Sequence, residues 1–445
     1  MKNRNLPLKE VGRDIHDFAG SRHVTLMANY SEAANRQAIE RIAAASPFLV
    51  GIERAGNVIP DLSPLDFLHA GPPLAGWHEV CGALRGAVVG TLLRNGSSRD
   101  AAAAEDMAAR EVRLISAQDR FALGTYGGVI TRDTPVLVVE NRPAGTRSYA
   151  ALNEGRGKAL RYGSYEAETL KRLDWLEGEF AEILDVAVRR SGGIDLFAIL
   201  EPALHMGDDG HSRQKAASAL FANIVAPFIA ETALGKESCA RALRFLAQND
   251  IFFLPLTMAA AKSAMLAAEG TADATLVTAI AFNGATGGIR VAGLSGWWTV
   301  PVPIARGQFF TGHEAGDAGP VIGDSEIAET MGLGAFAMAG APALARYVGG
   351  SVEEATRLTT EMYGITVAEH PRFKIPALDY RGTPFGIDVR RVAESGVTPV
   401  FNTGIAHRTP GIGQIGAGFG RVPLACFKAA RTALDALAGK GGRGA

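Results

Sequence analysis

The spacing of apolar residues along the chain predicts a mixture of helices and strands. A helix is predicted to begin at Ser31, with Ile39 and Ile42 on one face, and to end before Pro47, which cannot continue it. The residues before Ser31 show no clear periodicity. We therefore expect them to form an extension in front of the first domain.

Strand signals dominate both ends of the chain, whereas its middle is helical. Between about residues 165 and 270, β-branched runs disappear and helical periodicity takes over. Elsewhere, short apolar runs bounded by glycine, proline and asparagine predict strands. The main predicted strands lie at 112–116, 135–139, 276–282, 288–293, 308–311 and 399–402.

Turn and cap residues predict where individual turns and helices begin. The pair Asn283 and Gly284 is typical of a tight hairpin turn. An alanine-rich helix is predicted after Ser98, and a long helix after residue 324. Another helix is predicted to open at Ser351, because Glu354 follows three residues later as in a capping box.

Together these elements predict an α+β fold in which two mixed α/β domains flank a small helical domain. The length of 445 residues also favours two or three domains. The predicted units are an N-terminal extension at 1–30, an α+β domain at 31–165, a helical domain at 166–270, and a C-terminal α+β domain with a glycine-rich ligand loop at 271–445.

Composition narrows the class of partner. The net charge of −1 without a basic run argues against nucleic acid and against an anionic membrane surface. No stretch offers about 18 uninterrupted apolar residues, and the first residues do not resemble a secretory signal. The three cysteines are far apart and lack paired spacing. We therefore expect a cytoplasmic protein that binds small molecules or other proteins.

The strongest candidate for chemistry is the segment 401–420, FNTGIAHRTPGIGQIGAGFG. A predicted strand ends in polar residues there, and strand ends in α/β sheets commonly bind ligands. His407 follows, and the glycines are expected to offer free backbone N–H groups to an anion. The alternative is a glycine-rich crossover packed on the core. The candidate substrate contacts in this segment are Asn402, Thr403, Gly413, Gln414 and Gly416.

A second candidate is the segment 152–165, LNEGRGKALRYGSY. Lys158 and Arg161 are three residues apart, so a helix would place them on one face with Asn153 and Glu154 near its start. This arrangement suits a carboxylate or phosphate, because arginine offers a bidentate fork and lysine a point charge. A solvated cap with a charged face would look similar.

A third candidate is the segment 205–213, HMGDDGHSR. His205 and Asp208 are candidate catalytic residues, and His211 and Arg213 are candidate substrate contacts. A divalent metal bound by the histidines and aspartates is an alternative. We predict no metal or other cofactor, because the two glycines indicate a loop whose polar residues cap the next helix.

The fourth candidate joins residues near 283–290 with residues near 323–330. Asn283 is explained by a hairpin turn, but we retain it as a substrate contact. Arg290 begins an apolar strand and would need a buried partner, for which Asp324 or Glu329 is proposed. The sequence has no Walker A loop, nucleophile elbow or H-E-x-x-H motif, and its G-I-G-Q-I-G lacks the flanking elements of a dinucleotide fingerprint.

These segments resemble the AllG family, formerly called YlbE, which was once catalogued as a domain of unknown function. The resemblance runs from about residue 35 to the C-terminus. The matching stretches are HAGPP at 69–73, VEN at 139–141, LNEGRGK at 152–158, HMGDDGHSR at 205–213, NGATGGIRVAGL at 283–294, GDSEIAET at 323–330, and NTGIAH with GIGQIGAG within 402–418.

The resemblance implies a subunit of oxamate carbamoyltransferase, which reversibly converts carbamoyl phosphate and oxamate into oxalurate and phosphate in allantoin and purine breakdown. It also implies an oligomer, or a complex with an FdrA-like protein and a third subunit. An amide or ureido hydrolase and a noncatalytic subunit remain alternatives. The signatures of aspartate and ornithine transcarbamylases are absent from the sequence.

On this basis we expect the glycines of 411–418 to hold phosphate and His407 to act as general acid or base, because histidine titrates near neutrality. Asn402, Thr403 and Gln414 are expected to polarise the carbonyl. The candidates to receive the substrate carboxylate are Arg161, Arg290 and Lys158.

Overall fold

The computed structural model describes residues 18–441, with the side chains of 31–438. It confirms an α+β fold. Its α-helices in chain order are α1 Phe18–Ala43, α2 Ala55–Val58, α3 Gly82–Arg94, α4 Ala101–Arg110, α5 Ala167–Trp175, α6 Ala181–Arg190, α7 Phe197–His205, α8 Lys215–Ala230, α9 Lys236–Gln248, α10 Leu254–Leu266, α11 Ile327–Thr330, α12 Pro342–Tyr347, α13 Val352–Met362, α14 Val389–Ser395 and α15 Leu424–Gly441.

The strands form small sheets at the two ends of the chain. The strands are β1 Pro47–Arg54, β2 Asp66–His69, β3 Arg113–Ser116, β4 Ala122–Leu123, β5 Pro135–Asn141, β6 Thr146–Ala151, β7 Ile194–Asp195, β8 Val277–Asn283, β9 Thr286–Val291, β10 Trp298–Pro301, β11 Arg306–Phe309, β12 Ile322–Gly323, β13 Thr366–Ile375, β14 Arg381–Ile387, β15 Val400–Ala406 and β16 Gln414–Arg421. The N-terminal part has a parallel pair β2-β3 and a five-stranded sheet of order β4-β6-β5-β1-β7, to which the helical middle contributes β7. The C-terminal part has sheets of order β10-β9-β8-β12 and β11-β16-β15, and a pair β13-β14.

Strand β5 shows why the run at 135–139 is apolar at every position. Leu137 and Val139 belong to the largest core, whereas Val136 and Val138 belong to a smaller core on the opposite face. Successive side chains of a strand point to opposite faces. Because both faces of β5 are covered, the alternation of polar and apolar residues is lost.

The largest core joins side chains from all three predicted segments. It contains Leu49 of the N-terminal part, Phe221 of the helical part and Phe385 of the C-terminal part. The predicted division into domains stays a prediction. Among residues 18–441, no helix combines the length and apolarity that crossing a membrane requires.

The glycine-rich segment is largely a strand, which corrects the prediction of a ligand loop. Strand β16 lies between β15 and β11, so its backbone groups are engaged in two antiparallel ladders. A Cβ on Gly418 would lie 2.2 Å from the carbonyl oxygen of Arg306, and one on Gly416 would lie 2.5 Å from that of Gln308. The glycines therefore permit close contact between strands.

Several local predictions are confirmed and two are wrong. Asn283 ends β8 at a tight turn, and the Ser351 hydroxyl accepts a hydrogen bond from the Glu354 N–H at the start of α13. Helix α1 ends before Pro47 but begins at Phe18, earlier than predicted, and residues 1–17 of the predicted extension lie outside the described residues.

The long helix expected after residue 324 is instead the short α11 followed by a 3-10 turn at Gly334–Gly340. Gly332 and Gly334 have φ values of 79° and 61°, in the left-handed region. A regular right-handed helix cannot pass through such residues.

Candidate functional site

Residues from widely separated segments surround a small polar cavity between the C-terminal sheet, the start of α10 and the loops around residues 126 and 155. The cavity has a volume of about 50 Å³. At roughly 10–15 Å³ per water-sized group, this is room for about three to five such groups. The lining residues that the sequence analysis had selected are Asn153, Arg161, His211, Thr403 and Gln414.

Arg161 is the buried cation in the cavity wall. Its side chain lies over the Tyr162 ring, and its Nη2 donates to the carbonyl oxygen of Gly155 at 2.5 Å. Its Nη1 is buried and has no hydrogen-bond partner among the described residues. A buried guanidinium nitrogen without an acceptor is unfavourable, so this position favours an anionic or carbonyl ligand.

The loop that carries Arg161 is held by buried polar contacts. Glu154 accepts hydrogen bonds from the backbone N–H groups of Leu160 and Arg161, at 2.8 and 3.0 Å. Asn153 accepts from the Gly155 N–H and donates to the carbonyl oxygen of Ile251. Glu154 therefore positions Arg161, while Asn153 ties the loop to the segment before α10.

Tyr126 supplies a second unpartnered group, and the sequence analysis missed it. Tyr126 lines the cavity, and its buried hydroxyl has no hydrogen-bond partner among the described residues. Its ring packs edge-on against Tyr162 with centroids 4.8 Å apart, and a Cβ on Gly404 would lie 2.2 Å from its hydroxyl oxygen. The only local sign is the sequence Thr-Tyr-Gly-Gly, with a φ of 54° at Tyr126.

His211 and Glu329 form a buried charged pair at the cavity. Nδ1 of His211 lies 2.9 Å from Oε1 of Glu329, which also accepts from the Ala335 N–H. Burial opposes protonation of the imidazole, but the Glu329 carboxylate outweighs it and raises the pKa of His211 to about 9. His211 is therefore an imidazolium at neutral pH, with Nε2 left to meet a ligand.

A polar network holds His211 in place. Asp209 accepts from the backbone N–H groups of His211 and Arg213, at 3.1 and 2.8 Å. It also accepts from Asn402 Nδ2 at 2.7 Å, and Asn402 Oδ1 accepts from the Ser212 hydroxyl at 2.7 Å. Asn402 is therefore a fully buried link between β15 and the 205–213 loop.

Buried acids stand behind the cavity wall. Both oxygens of Glu326 lack a partner among the described residues, and burial raises the pKa of this carboxyl to about 8. Burial also raises the pKa of Asp324 to about 7, although its oxygens accept from the N–H groups of Gly71 and Gly124. Asp324 joins the loops that contain Gly71 and Gly124, whereas the Glu326 carboxylate has no hydrogen-bond partner in the described part of the chain.

Asp208 is buried at the start of α8. Burial raises its pKa to about 7, while it accepts from the Ala217 N–H at 2.8 Å and lies 3.2 Å from Arg213 Nη1. Asp208 thus caps the helix and pairs with Arg213. His205, at the end of α7, is exposed and packs against the Tyr380 ring.

Two other candidates, Lys158 and Asn283, lie elsewhere in the fold. Lys158 is exposed and forms an ion pair with Glu166 at 2.6 Å. Asn283 fixes its own turn by accepting from the Ala285 and Thr286 N–H groups. These contacts account for both side chains without a ligand.

The pairing proposed for Arg290 is wrong. Its Nη1 lies 2.8 Å from Asp119, and its Nη2 lies 3.8 Å from Glu269. Asp324 and Glu329 instead have the backbone and histidine partners described above. Arg290 therefore has its counter-charges in Asp119 and Glu269, and it does not line the cavity.

His407 lies outside the cavity lining, just beyond the end of β15. Its backbone N–H donates to the carbonyl oxygen of Gly413, and its Nδ1 accepts from the Thr409 N–H at 2.8 Å. Its Nε2 faces Asp317 at 3.8 Å, and His313 is nearby. The Gly413 carbonyl thus accepts from His407, and Gly416 pairs with Phe309 and Ile405 within the sheet.

The ligating atoms of His313, Asp317 and His407 lie within 4.8 Å of one another. The hydrogen bond from Thr409 occupies the Nδ1 lone pair of His407, so the neutral ring carries its proton on Nε2. A metal would need that nitrogen unprotonated. The residues of the alternative metal set are dispersed, since His205 is exposed at the end of α7 and His211 is bound to Glu329.

The fold and the cavity describe an α+β protein with a small, polar, largely buried site. A family described as oxamate carbamoyltransferase subunit AllG matches residues 112–325. The oxamate carbamoyltransferase subunit AllG of Escherichia coli strain K12 is 42% identical over 410 residues, which cover 91% of this chain and 97% of that protein. The chain belongs to the AllG family.

Two further proteins share this similarity. The uncharacterized protein YahG of the same strain is 40% identical over 406 residues, covering 91% of this chain and 86% of YahG. A crystal structure of a conserved protein of unknown function from Enterococcus faecalis V583 superposes with a TM-score of 0.90 at 39% identity. The superposition covers 92% of this chain and 99% of the Enterococcus faecalis chain, so the similarity extends through the whole fold.

Proposed function

We propose that this chain is a substrate-binding subunit of a carbamoyltransferase that acts between carbamoyl phosphate and oxamate, with oxalurate and phosphate as products. The observation that carries the proposal is that two residues lining one small cavity, Arg161 and Tyr126, each have a buried donor without a partner among the described residues. The name of the E. coli AllG relative, a subunit of oxamate carbamoyltransferase, supports the choice of substrate.

In this proposal the oxamate carboxylate accepts from Arg161 and Tyr126. A charged donor in a buried site forms a strong hydrogen bond with a carboxylate, and a second hydrogen bond from a neutral hydroxyl fixes the orientation of that carboxylate. The small volume of the cavity favours a compact carboxylate such as that of oxamate. The site therefore selects for a short carboxylate with an adjacent polar group.

His211 is proposed to stabilise the charge that develops on the carbamoyl oxygen. A buried imidazolium held by Glu329 is a preorganised donor, so it needs no reorientation during the reaction. The amide nitrogen of oxamate attacks the carbamoyl carbon, the bond from that carbon to the phosphate oxygen breaks, and phosphate leaves with the electron pair.

The attacking nitrogen must also lose a proton, and Glu326 is our candidate acceptor. Its carboxyl has no protein partner among the described residues, and with a pKa of about 8 its ionised form is a stronger base than an ordinary carboxylate. The proton passes from there to the departing phosphate. Neither Glu326 nor His407, the candidate from the sequence, lines the cavity, but Glu326 follows the lining residue Ser325 in the chain.

The test is to incubate the purified chain with oxalurate and phosphate, alone and together with an FdrA-like protein and a third subunit. Carbamoyl phosphate and ammonia are then measured. Phosphate-dependent formation of carbamoyl phosphate supports the proposal, and a requirement for the partners identifies a complex. Ammonia without carbamoyl phosphate would indicate a hydrolase. Unchanged activity of the complex with an Arg161→Gln subunit would indicate a noncatalytic role.

A further inference from the structure

A second cavity adjoins the first and opens toward the surface. The two share Arg156, Ser212 and Tyr347, and the outer one is also lined by Arg213 and Lys215. Its volume is about 190 Å³, larger than that of the inner cavity. We call this outer cavity, bounded by these five residues, the vestibule.

The inner cavity is too small for both proposed substrates. Its volume of about 50 Å³ corresponds to about three to five water-sized groups. Oxamate alone has more non-hydrogen atoms than this, so only its carboxylate end lies in the inner cavity, and carbamoyl phosphate is larger than oxamate. Because the attacking nitrogen and the carbamoyl carbon must meet, the second substrate has to occupy a space continuous with the first.

The charge of the vestibule favours an anion. Arg156, Arg213 and Lys215 line it, and Asp250 is the acid among its lining residues. Asp250 pairs with Arg156 at 2.9 Å, and Arg213 pairs with the buried Asp208 behind it. Lys215 is exposed and has no ion pair among the described side chains. The net charge at the mouth of the vestibule is therefore positive and comes chiefly from Lys215.

We propose that the vestibule binds the phosphoryl group of carbamoyl phosphate, and inorganic phosphate in the reverse direction. This inference rests on the proposed function. The carbamoyl group then lies at the boundary formed by Arg156, Ser212 and Tyr347, where the bond from carbon to the phosphate oxygen breaks. The bond from carbon to the oxamate nitrogen forms there, and phosphate leaves through the vestibule with its electron pair and the amide proton.

The glycine-rich segment does not offer an equivalent site. The backbone groups of β16 are engaged in two ladders, and the Gly411 N–H donates to the carbonyl oxygen of Tyr162. Arginine and lysine side chains bind phosphate through charge-assisted hydrogen bonds. The vestibule therefore replaces residues 411–418 as the place for phosphate.

The first experiment compares Lys215→Ala with Lys236→Ala in the full complex. Both lysines are exposed and occupy the first position of a helix, α8 or α9, so Lys236 is a matched control. In phosphorolysis of oxalurate, Lys215→Ala should raise the KM for phosphate about five- to tenfold and leave the KM for oxalurate within about twofold. Equal KM values for phosphate in both variants would overturn the inference.

A direct titration separates this inference from the proposed function. Inorganic phosphate is titrated calorimetrically into the full chain and both variants, without any turnover. Weaker binding in Lys215→Ala alone supports the vestibule, even if the complex shows no phosphorolysis and the proposed function fails. Absence of phosphate binding to the unaltered chain, or equal affinities in all three proteins, would overturn the phosphate site in the vestibule. The proposed function would still be tested by the oxalurate assay.

Discussion

The imidazole of His211 and the carboxylate of Glu329 form a buried pair, with Nδ1 and Oε1 2.9 Å apart. The two residues are 118 positions apart in the sequence. Glu329 fixes the orientation of the ring and keeps it charged, because the attraction of its carboxylate outweighs the cost of burying the imidazolium. Both the stability of the fold and the proposed chemistry therefore depend on the proton that charges the His211 ring.

Stability should fall as the pH rises through the range in which His211 loses its proton. The pKa of His211 is about 9 in the fold and about 6.5 when unfolded, so its contribution is fully present below about 6.5 and is lost by about 9. The difference amounts to at most about 3 kcal/mol. Urea unfolding from pH 6 to 10 measures it.

The matched variant for this experiment is His211→Gln. Burial raises the pKa of Asp324 and Glu326 as well, so ionisation of these acids also lowers stability with rising pH in both proteins. The difference between the two curves reports His211 together with its effect on Glu326 and Glu329, whose pKa values its charge lowers. Parallel curves above pH 6.5 would refute the charged pair.

Tyr126→Phe should weaken oxamate binding without lowering stability. The hydroxyl has no partner among the described residues, so removing it costs no hydrogen bond in the empty protein. Tyr363→Phe is the control, because the Tyr363 hydroxyl donates to the carbonyl oxygen of Gly382 at 2.6 Å. That change should cost about 1 kcal/mol in denaturant unfolding. A larger loss for Tyr126→Phe would show that its hydroxyl has a structural partner.

Arg161 and Lys158 should differ sharply although they are three residues apart. Arg161→Lys keeps the charge but loses the bidentate donor geometry of the guanidinium, so the KM for oxamate should rise about tenfold to a hundredfold. Lys158→Ala removes an exposed ion pair with Glu166 and should change the same KM by less than about twofold. Steady-state kinetics of the complex measure both. Similar effects at the two positions would place the carboxylate elsewhere.

His211 and His407 distinguish the cavity from the glycine-rich segment as the centre of chemistry. His211→Gln should lower kcat about a hundredfold or more, because it removes a charged donor from the reacting site. His407→Ala should keep at least about half of kcat, since its partners are Thr409 and Asp317 outside the cavity lining. Thermal unfolding of both variants serves as the control for folding. The reverse ranking would restore His407 as the general acid or base.

Much of the local structure was predictable from the sequence. The apolar run at 135–139, the Asn283 turn and the Ser351 cap depend on neighbouring residues, and the structure confirms each. The glycines of β16 were misassigned, because a glycine that allows close strand contact looks the same in sequence as one in a loop. Strand partners lie far away along the chain, so no local pattern reports them.

The site was predictable only in part. Polar segments around 153, 211 and 403 were recognised, and the structure brings them together at one cavity. Tyr126 and Glu326 were missed, because their significance is the absence of a partner among the described residues. That property depends on everything packed around a side chain.

The sequence by itself determined the class of fold, most of the helices and strands, the resemblance to the AllG family and the polar segments that supply the cavity. The tertiary structure decided that Arg161 points inward while Lys158 faces solvent, and that His211 rather than His407 meets the cavity. The physical reason is that periodicity and turn chemistry act over a few residues. Burial, strand pairing and the matching of charges join residues more than a hundred positions apart.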